Sequence, residues 1–230
     1  MKTKPLKIIL ISIFSLLVIL FLSFYIYTLD YSRADSGVDE LLAKNNIQVE
    51  NNVTIIAPNN SKNIGLIFYP GGKVEAKAYL PLLEKISEEG ITCYLVKMPF
   101  NLAIFDINAA TKIIEENTKI NKWYLAGHSL GGAMASSYAK NNHSKLDGLI
   151  LLGAYPINDA PVDTLCLYGS FDIALDQSKL DKVSNKHEII GGNHAYFGNY
   201  GKQKGDGTAT ITRDKQQEIT VNKINELINK

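Results

Sequence analysis

The sequence predicts an α/β protein: a doubly wound, mostly parallel sheet covered by helices and preceded by one transmembrane helix. Three observations lead there. An unbroken apolar run lies near the N-terminus, short β-rich runs alternate with helix-like stretches after it, and the chemistry-bearing residues fall just behind those β-rich runs. With 230 residues, 46% of them apolar, the chain can build one domain with a sizeable core plus an additional segment.

The apolar run comes first. Lys2, Lys4 and Lys7 precede an uncharged stretch, 8–29, rich in Ile, Leu, Phe and Val. About 20 helical residues rising 1.5 Å each span roughly the thickness of a hydrocarbon core. No polar face interrupts the run, which argues against a half-buried helix of a soluble domain. It exceeds the roughly 7–15 apolar residues of a cleaved signal peptide, and no small-x-small site closes it, so it reads as a retained anchor. The lysines lie on one side, while Asp30, Asp35, Asp39 and Glu40 follow on the other with only Arg33 among them. The positive-inside rule then places the N-terminus in the cytoplasm and the rest of the chain on the extracytoplasmic side of the cell membrane. Phe24, Tyr25, Tyr27 and Tyr31 cluster at the outer end, where interfacial aromatics sit. The organisation expected is an anchor over 1–29, a polar stalk over 30–50 with a short helix near 38–44, and one α/β domain over 51–230.

Beyond the anchor, 21 basic residues face 23 acidic ones, about −2, and the whole chain carries +1. With no dense Lys/Arg run, a nucleic-acid partner is excluded. Cys93 and Cys166 sit inside apolar runs that read as buried, separated strands, so both are expected as free thiols. Nothing has the spacing of a zinc site, and no metal or organic cofactor is implied.

The β-rich runs are 53–57, 64–69, 92–96, 123–126, 149–152, 164–168 and 187–190, and the helix-like stretches are 75–89, 105–117, 130–140 and 176–183. A last helix is expected over 213–228, with Thr212 as its N-cap and Ile219, Ile224, Leu227 and Ile228 on one side. Alternating β and α with nearly continuous apolar strands argues a parallel sheet buried on both faces, with right-handed crossovers. In such sheets ligands bind at the C-terminal ends of the strands.

The strongest local signal is Gly127-His128-Ser129-Leu130-Gly131, G-x-S-x-G between a strand and a helix rich in small residues. Glycines two positions either side of Ser129 remove Cβ atoms that would strike neighbouring backbone, and the helix start behind the serine favours developing negative charge. Ser129 is the candidate nucleophile. Of four histidines, His128 lies inside the turn, pointing away from the serine hydroxyl, and His143 and His187 lie at the wrong end of the sheet. His194, just after the last strand, is the candidate base. The base needs a carboxylate to fix its tautomer, and the chain order for such a site is Ser, acid, His. Asp172 follows the strand 164–168 and is preferred over Asp176, Asp163 and Asp159. Acyl transfer also needs two N–H donors for the oxyanion. The candidates are Leu130, directly after the serine, and Gly72 in the turn Pro70-Gly71-Gly72-Lys73, with Lys73 as the alternative to Gly72. Tyr196, Phe197 and Tyr200 either wall the site or pack beneath the last helix, with packing preferred.

At this point the residues resemble the α/β-hydrolase superfamily, over roughly 53–230. Four stretches are similar to a small lidless bacterial branch described as dienelactone-hydrolase-like: 68–74 (Phe-Tyr-Pro-Gly-Gly-Lys-Val), 96–102 (Val-Lys-Met-Pro-Phe-Asn-Leu), 127–132, and 191–198 (Gly-Gly-Asn-His-Ala-Tyr-Phe-Gly) with 205–207. The resemblance implies the sheet with strand order 4-3-5-6-7-8 in that family's convention, the Ser129–Asp172–His194 triad and the two backbone donors. There are departures: Pro70 stands where the oxyanion loop usually carries histidine, and a serine stands where dienelactone hydrolases carry cysteine. About ten residues between 152 and 164 leave no room for a lid domain. The implied function is a membrane-anchored serine hydrolase acting on a small ester or acyl substrate. An acyltransferase using the same triad, or a non-catalytic ligand-binding domain, are the alternatives.

Overall fold

The computed structural model describes residues 3–157 and 162–230. The chain divides into two units, Met1–Tyr31 and Ser32–Lys230. In the first, helix α1 (Thr3–Leu29) contains a stretch, Leu6–Leu29, long and apolar enough to cross a membrane. The large side chains of that stretch, such as Phe14 and Phe21, are exposed. Thr28, polar within the run, turns its hydroxyl back to the Tyr25 carbonyl at 2.7 Å.

The second unit is built on an eight-stranded sheet in the order β1-β2-β4-β3-β5-β6-β7-β8. Its strands are β1 (Ile47–Glu50), β2 (Val53–Ile56), β3 (Ile64–Tyr69), β4 (Ile91–Val96), β5 (Lys122–His128), β6 (Gly148–Leu152), β7 (Thr164–Gly169) and β8 (Lys186–Ile189). Strand β2 pairs antiparallel with both β1 and β4, and all pairings from β4 to β8 are parallel. The expected order 4-3-5-6-7-8 is present, and the short link between β6 and β7 carries no lid domain. Strand side chains alternate between two cores. Leu66 and Phe68 face one side with Leu82, Leu83 and Ile86 of helix α2 (Leu80–Glu88) and Ile224 of helix α5 (Arg213–Ile228). Ile67 and Tyr69 face the other with Ile113 of helix α3 (Ala109–Glu116) and Ala135 and Tyr138 of helix α4 (Leu130–Asn142). Cys93 and Cys166 lie in opposite cores, buried and free.

Three stretches differ from the sequence reading. The expected stalk is no free spacer. Ser32 pairs with Val74 as a β-bridge, and its N–H donates to Lys73 O at 2.8 Å. Asp35 pairs with Arg213, Val38 is buried on a 3₁₀ turn (Ser36–Ala43), and β1 joins the sheet edge. Spaced single apolar residues anchor this segment, so its average composition reads as polar; in β1 only Ile47 is buried. The stretch 176–183 holds only a 3₁₀ turn, Gln177–Leu180, begun by Asp176 accepting from Ser178 N–H. The stretch 75–89 is a 3₁₀ turn (Ala76–Tyr79) followed by α2, with Pro81 in the first turn where a missing N–H costs nothing. Helix α5 has the expected bounds and the Thr212 cap, but it buries Gln216, Gln217 and Thr220 along with Val221 and Ile224, while Ile219 is only half-buried.

Candidate active site

Strand β5 delivers Ser129 to the start of α4 with a positive φ, 52°, and ψ −121°. A non-glycine residue held there costs about 1–3 kcal/mol, which the surrounding packing must sustain. That packing is tight. A Cβ on Gly127 would come within 2.5 Å of the Gly131 carbonyl, and one on Gly131 within 2.1 Å of Tyr69 O. The Ser129 N–H donates to Leu152 O at 2.9 Å, tying the turn to the end of β6.

The residue after Leu152, Gly153, turns the chain at φ +52°, and a Cβ there would meet His194 Nδ1 at 2.9 Å and Asp172 Oδ2 at 3.1 Å. Asp172 and His194 therefore pack directly against the strand end that holds the serine turn. His194 Nδ1 and Asp172 Oδ2 are 2.8 Å apart, both residues almost wholly buried. Asp172 Oδ1 accepts from Leu175 N–H, so both carboxylate oxygens are used. The His194 N–H donates to Asp206 Oδ1 and its carbonyl lies 3.1 Å from His128 Nε2. Every polar atom of His194 has a partner except Nε2, which is buried and unbonded. Ser129 Oγ thus makes no hydrogen bond to it in this conformation; such contacts commonly tighten only when substrate binds.

On the other side of the turn, Gly72 lies against Leu130, where a Cβ would meet Leu130 Cδ2 at 2.8 Å. Gly71 N–H is donated to Tyr79 Oη and Lys73 N–H to Asn101 O. Lys73 is thereby removed as an oxyanion donor. Among the described residues the N–H groups of Gly72 and Leu130 have no partner, which leaves them available to an anionic oxygen.

The remaining sequence candidates are not brought to this cluster. Asp176 caps its own 3₁₀ turn, Asp163 precedes β7, His143 follows α4 in a 3₁₀ turn, and His187 lies at the start of β8. Asp159 lies outside the described residues. Phe197 and Tyr200 are buried in the core shared with α5, and Tyr196 lies under the Arg213 guanidinium, 5.2 Å from its ring centre. A cavity of about 1090 Å³ lined by Asp163, Thr164, Lys182 and Lys230 holds none of the clustered groups.

Sequence reasoning missed the residues that hold the His194 loop. The Asp206 carboxylate accepts from the N–H groups of His194, Ala195 and Gly207, at 3.1, 2.8 and 2.9 Å. Gln216, fully buried on α5, bonds both the N–H and the carbonyl of Asn193. These groups act on backbone, which leaves no spacing rule to read; the Gly-Asp-Gly at 205–207 is the only visible sign. Asp206→Ala is expected to cost about 2–4 kcal/mol, because hydrogen bonds to a charged acceptor are worth roughly 1.5–3 kcal/mol each and neighbouring ones do not add fully. A denaturant midpoint unchanged from wild type would show that the loop holds without it.

A family model described as "Alpha/beta hydrolase family" matches residues 65–218. No curated protein matches the chain by sequence. Among solved structures, TT1662 from Thermus thermophilus is 15% identical with a TM-score of 0.57, covering 80% of this chain and 99% of its own. A dienelactone hydrolase from Anabaena variabilis is 15% identical with a TM-score of 0.55, covering 76% and 90%. An alpha-beta serine hydrolase homologue from Coxiella burnetii is 14% identical with a TM-score of 0.55, covering 78% and 97%. At these identities the likenesses speak for the fold, while the family match takes in β3 through the first turn of α5, with the serine turn and both members of the buried acid–base pair. The chain belongs to the alpha/beta hydrolase family.

Proposed function

We propose that the chain is a membrane-anchored serine hydrolase, a carboxylesterase-type enzyme acting on a small ester or acyl substrate. Ser129 is the nucleophile, His194 the general base and Asp172 the orienting acid. The observation that carries this reading is the orphaned His194 Nε2: a buried imidazole with Nδ1 committed to Asp172 and its other nitrogen unbonded. A buried polar atom without a partner costs stability, and a catalytic role is one reason for such an atom to be kept. As Ser129 Oγ attacks the substrate carbonyl carbon, Nε2 takes its proton and Asp172 stabilises the imidazolium. The N–H groups of Leu130 and Gly72 hold the oxyanion. The imidazolium then protonates the departing alkoxide, leaving an acyl group on Ser129. Water, deprotonated by Nε2, releases that acyl group as the acid and restores the serine. In this reading α1 is the anchor, with Lys2, Lys4 and Lys7 on the cytoplasmic side and the catalytic domain outside.

Intact cells carrying the chain are expected to bind an impermeant fluorophosphonate at Ser129, located by peptide mass, with no adduct in Ser129→Ala. An unlabelled wild-type chain that also leaves p-nitrophenyl acetate uncleaved would point instead to a ligand-binding domain.

A further inference from the structure

Three of the groups proposed for catalysis arrive on separate loops: Gly72 after β3, Ser129 after β5 and His194 after β8. One buried hydrogen-bonded chain touches all three. Gly71 N–H donates to Tyr79 Oη at 3.0 Å, Tyr79 Oη lies 2.8 Å from His128 Nδ1, and His128 Nε2 lies 3.1 Å from the His194 carbonyl. Both Tyr79 and His128 are completely buried.

The protons in this chain are placed by elimination. A carbonyl oxygen can only accept, so His128 Nε2 carries the hydrogen. A neutral imidazole then has a bare Nδ1, which accepts from the Tyr79 hydroxyl. The same hydroxyl oxygen takes Gly71 N–H on a lone pair. Each donor meets one acceptor, and the direction runs one way from the oxyanion loop to the base. The His128 ring packs 4.5 Å from that of His194 and 5.7 Å from that of Phe197, and turned over it would present carbons to the Tyr79 hydroxyl and the His194 carbonyl, losing both hydrogen bonds. Burial, with the His194 ring adjacent, holds His128 well below the usual histidine range and so keeps it neutral. An imidazolium would aim two donors outward and leave the Tyr79 hydroxyl without its acceptor.

We infer that Tyr79 and His128 form a hydrogen-bonded strut that sets the spacing of the oxyanion loop, the serine turn and the base, and that both are positioning residues for the reaction. The inference rests on the Ser129–His194–Asp172 reading above. His128 is joined by a single peptide bond to Ser129, and Gly71 to Gly72, so strain in the strut passes directly to the reacting groups. Donors displaced by a fraction of an ångström lose transition-state stabilisation more than ground-state binding. The defect should therefore fall on kcat.

The test uses the full-length protein in detergent, with p-nitrophenyl acetate hydrolysis and the rate of fluorophosphonate labelling as readouts. Tyr79→Phe and His128→Leu are expected to lower kcat and the labelling rate about 10–100-fold while KM stays within about twofold. His128→Gln, whose amide can accept from Tyr79 and donate to the His194 carbonyl, should regain most of what His128→Leu loses. A general loss of core stability would not produce that rescue. If the variants melt cooperatively and keep kcat and labelling within twofold of wild type, the strut is only packing and the inference falls. Should the variants not fold, the ¹⁵N imidazole spectrum of the wild-type protein decides: the hydrogen of His128 must sit on Nε2, and its presence on Nδ1 overturns the strut. Failure of wild-type Ser129 to label would instead remove the hydrolase reading, an outcome separate from these.

Discussion

His194→Ala is expected to lower kcat on the order of 10⁶-fold, and Asp172→Asn on the order of 10⁴-fold, by analogy with other Ser–His–Asp sites. The first variant removes the group proposed to take the serine proton. The second is nearly isosteric and tests the tautomer. In the wild type, His194 Nδ1–H donates to Asp172 Oδ2 at 2.8 Å, which leaves Nε2 with a free lone pair. The amide of the Asp172→Asn variant would keep its carbonyl for Leu175 N–H and turn its NH₂ toward Nδ1. The imidazole must then accept at Nδ1 and carry its hydrogen on Nε2, where it cannot take a proton. Substrate affinity should change little, since neither side chain is among the oxyanion donors. Steady-state kinetics at fixed pH on both variants decides the matter; an Asp172→Asn variant within tenfold of wild-type kcat would remove Asp172 from its role.

Gly131→Ala is expected to be the most destabilising small substitution in the serine turn, at more than about 3 kcal/mol. The added methyl would sit 2.1 Å from Tyr69 O and 2.3 Å from Pro70 O, both backbone atoms at the end of a central strand. Neither can move without breaking the β3 pairings or the oxyanion turn, so α4 must lift off the sheet. Ordinary overpacking costs about 1–3 kcal/mol, and this contact is closer than those that side-chain adjustment relieves. Against a typical total of about 5–15 kcal/mol, the loss is large. Gly37→Ala, with nothing within 4 Å of the added atom, is the matched control. Urea unfolding followed by circular dichroism measures both, and equal midpoints would contradict the close-packing argument.

How far the sequence carried depends on what each residue acts upon. The parallel sheet was legible because both faces are buried, which writes long apolar runs into β3 to β7. The serine turn was legible because its glycines are demanded by backbone packed directly against them. His194 and Asp172 could be named because few residues of the right type follow a strand. The edge strand β1 was not visible, since one buried residue makes no period. Gln216 on α5 gave no signal, because it is buried to serve Asn193, 23 residues earlier. The joint role of Tyr79 and His128 gave no signal either, as their partners are set by where loops meet in space. His128 faces a carbonyl 66 residues away in the sequence, across the ends of strands that are not neighbours in the sheet.

The two cysteines have a practical bearing. Each is sealed within one of the opposed cores, and burial pushes the Cys166 thiol up to about 12 and the Cys93 thiol higher still. Almost no thiolate exists at neutral pH, so electrophilic reagents offered to the native protein meet no competing sulfur nucleophile. Oxidants in the surroundings likewise find no accessible sulfhydryl to couple, and the protein can be handled without reducing agents.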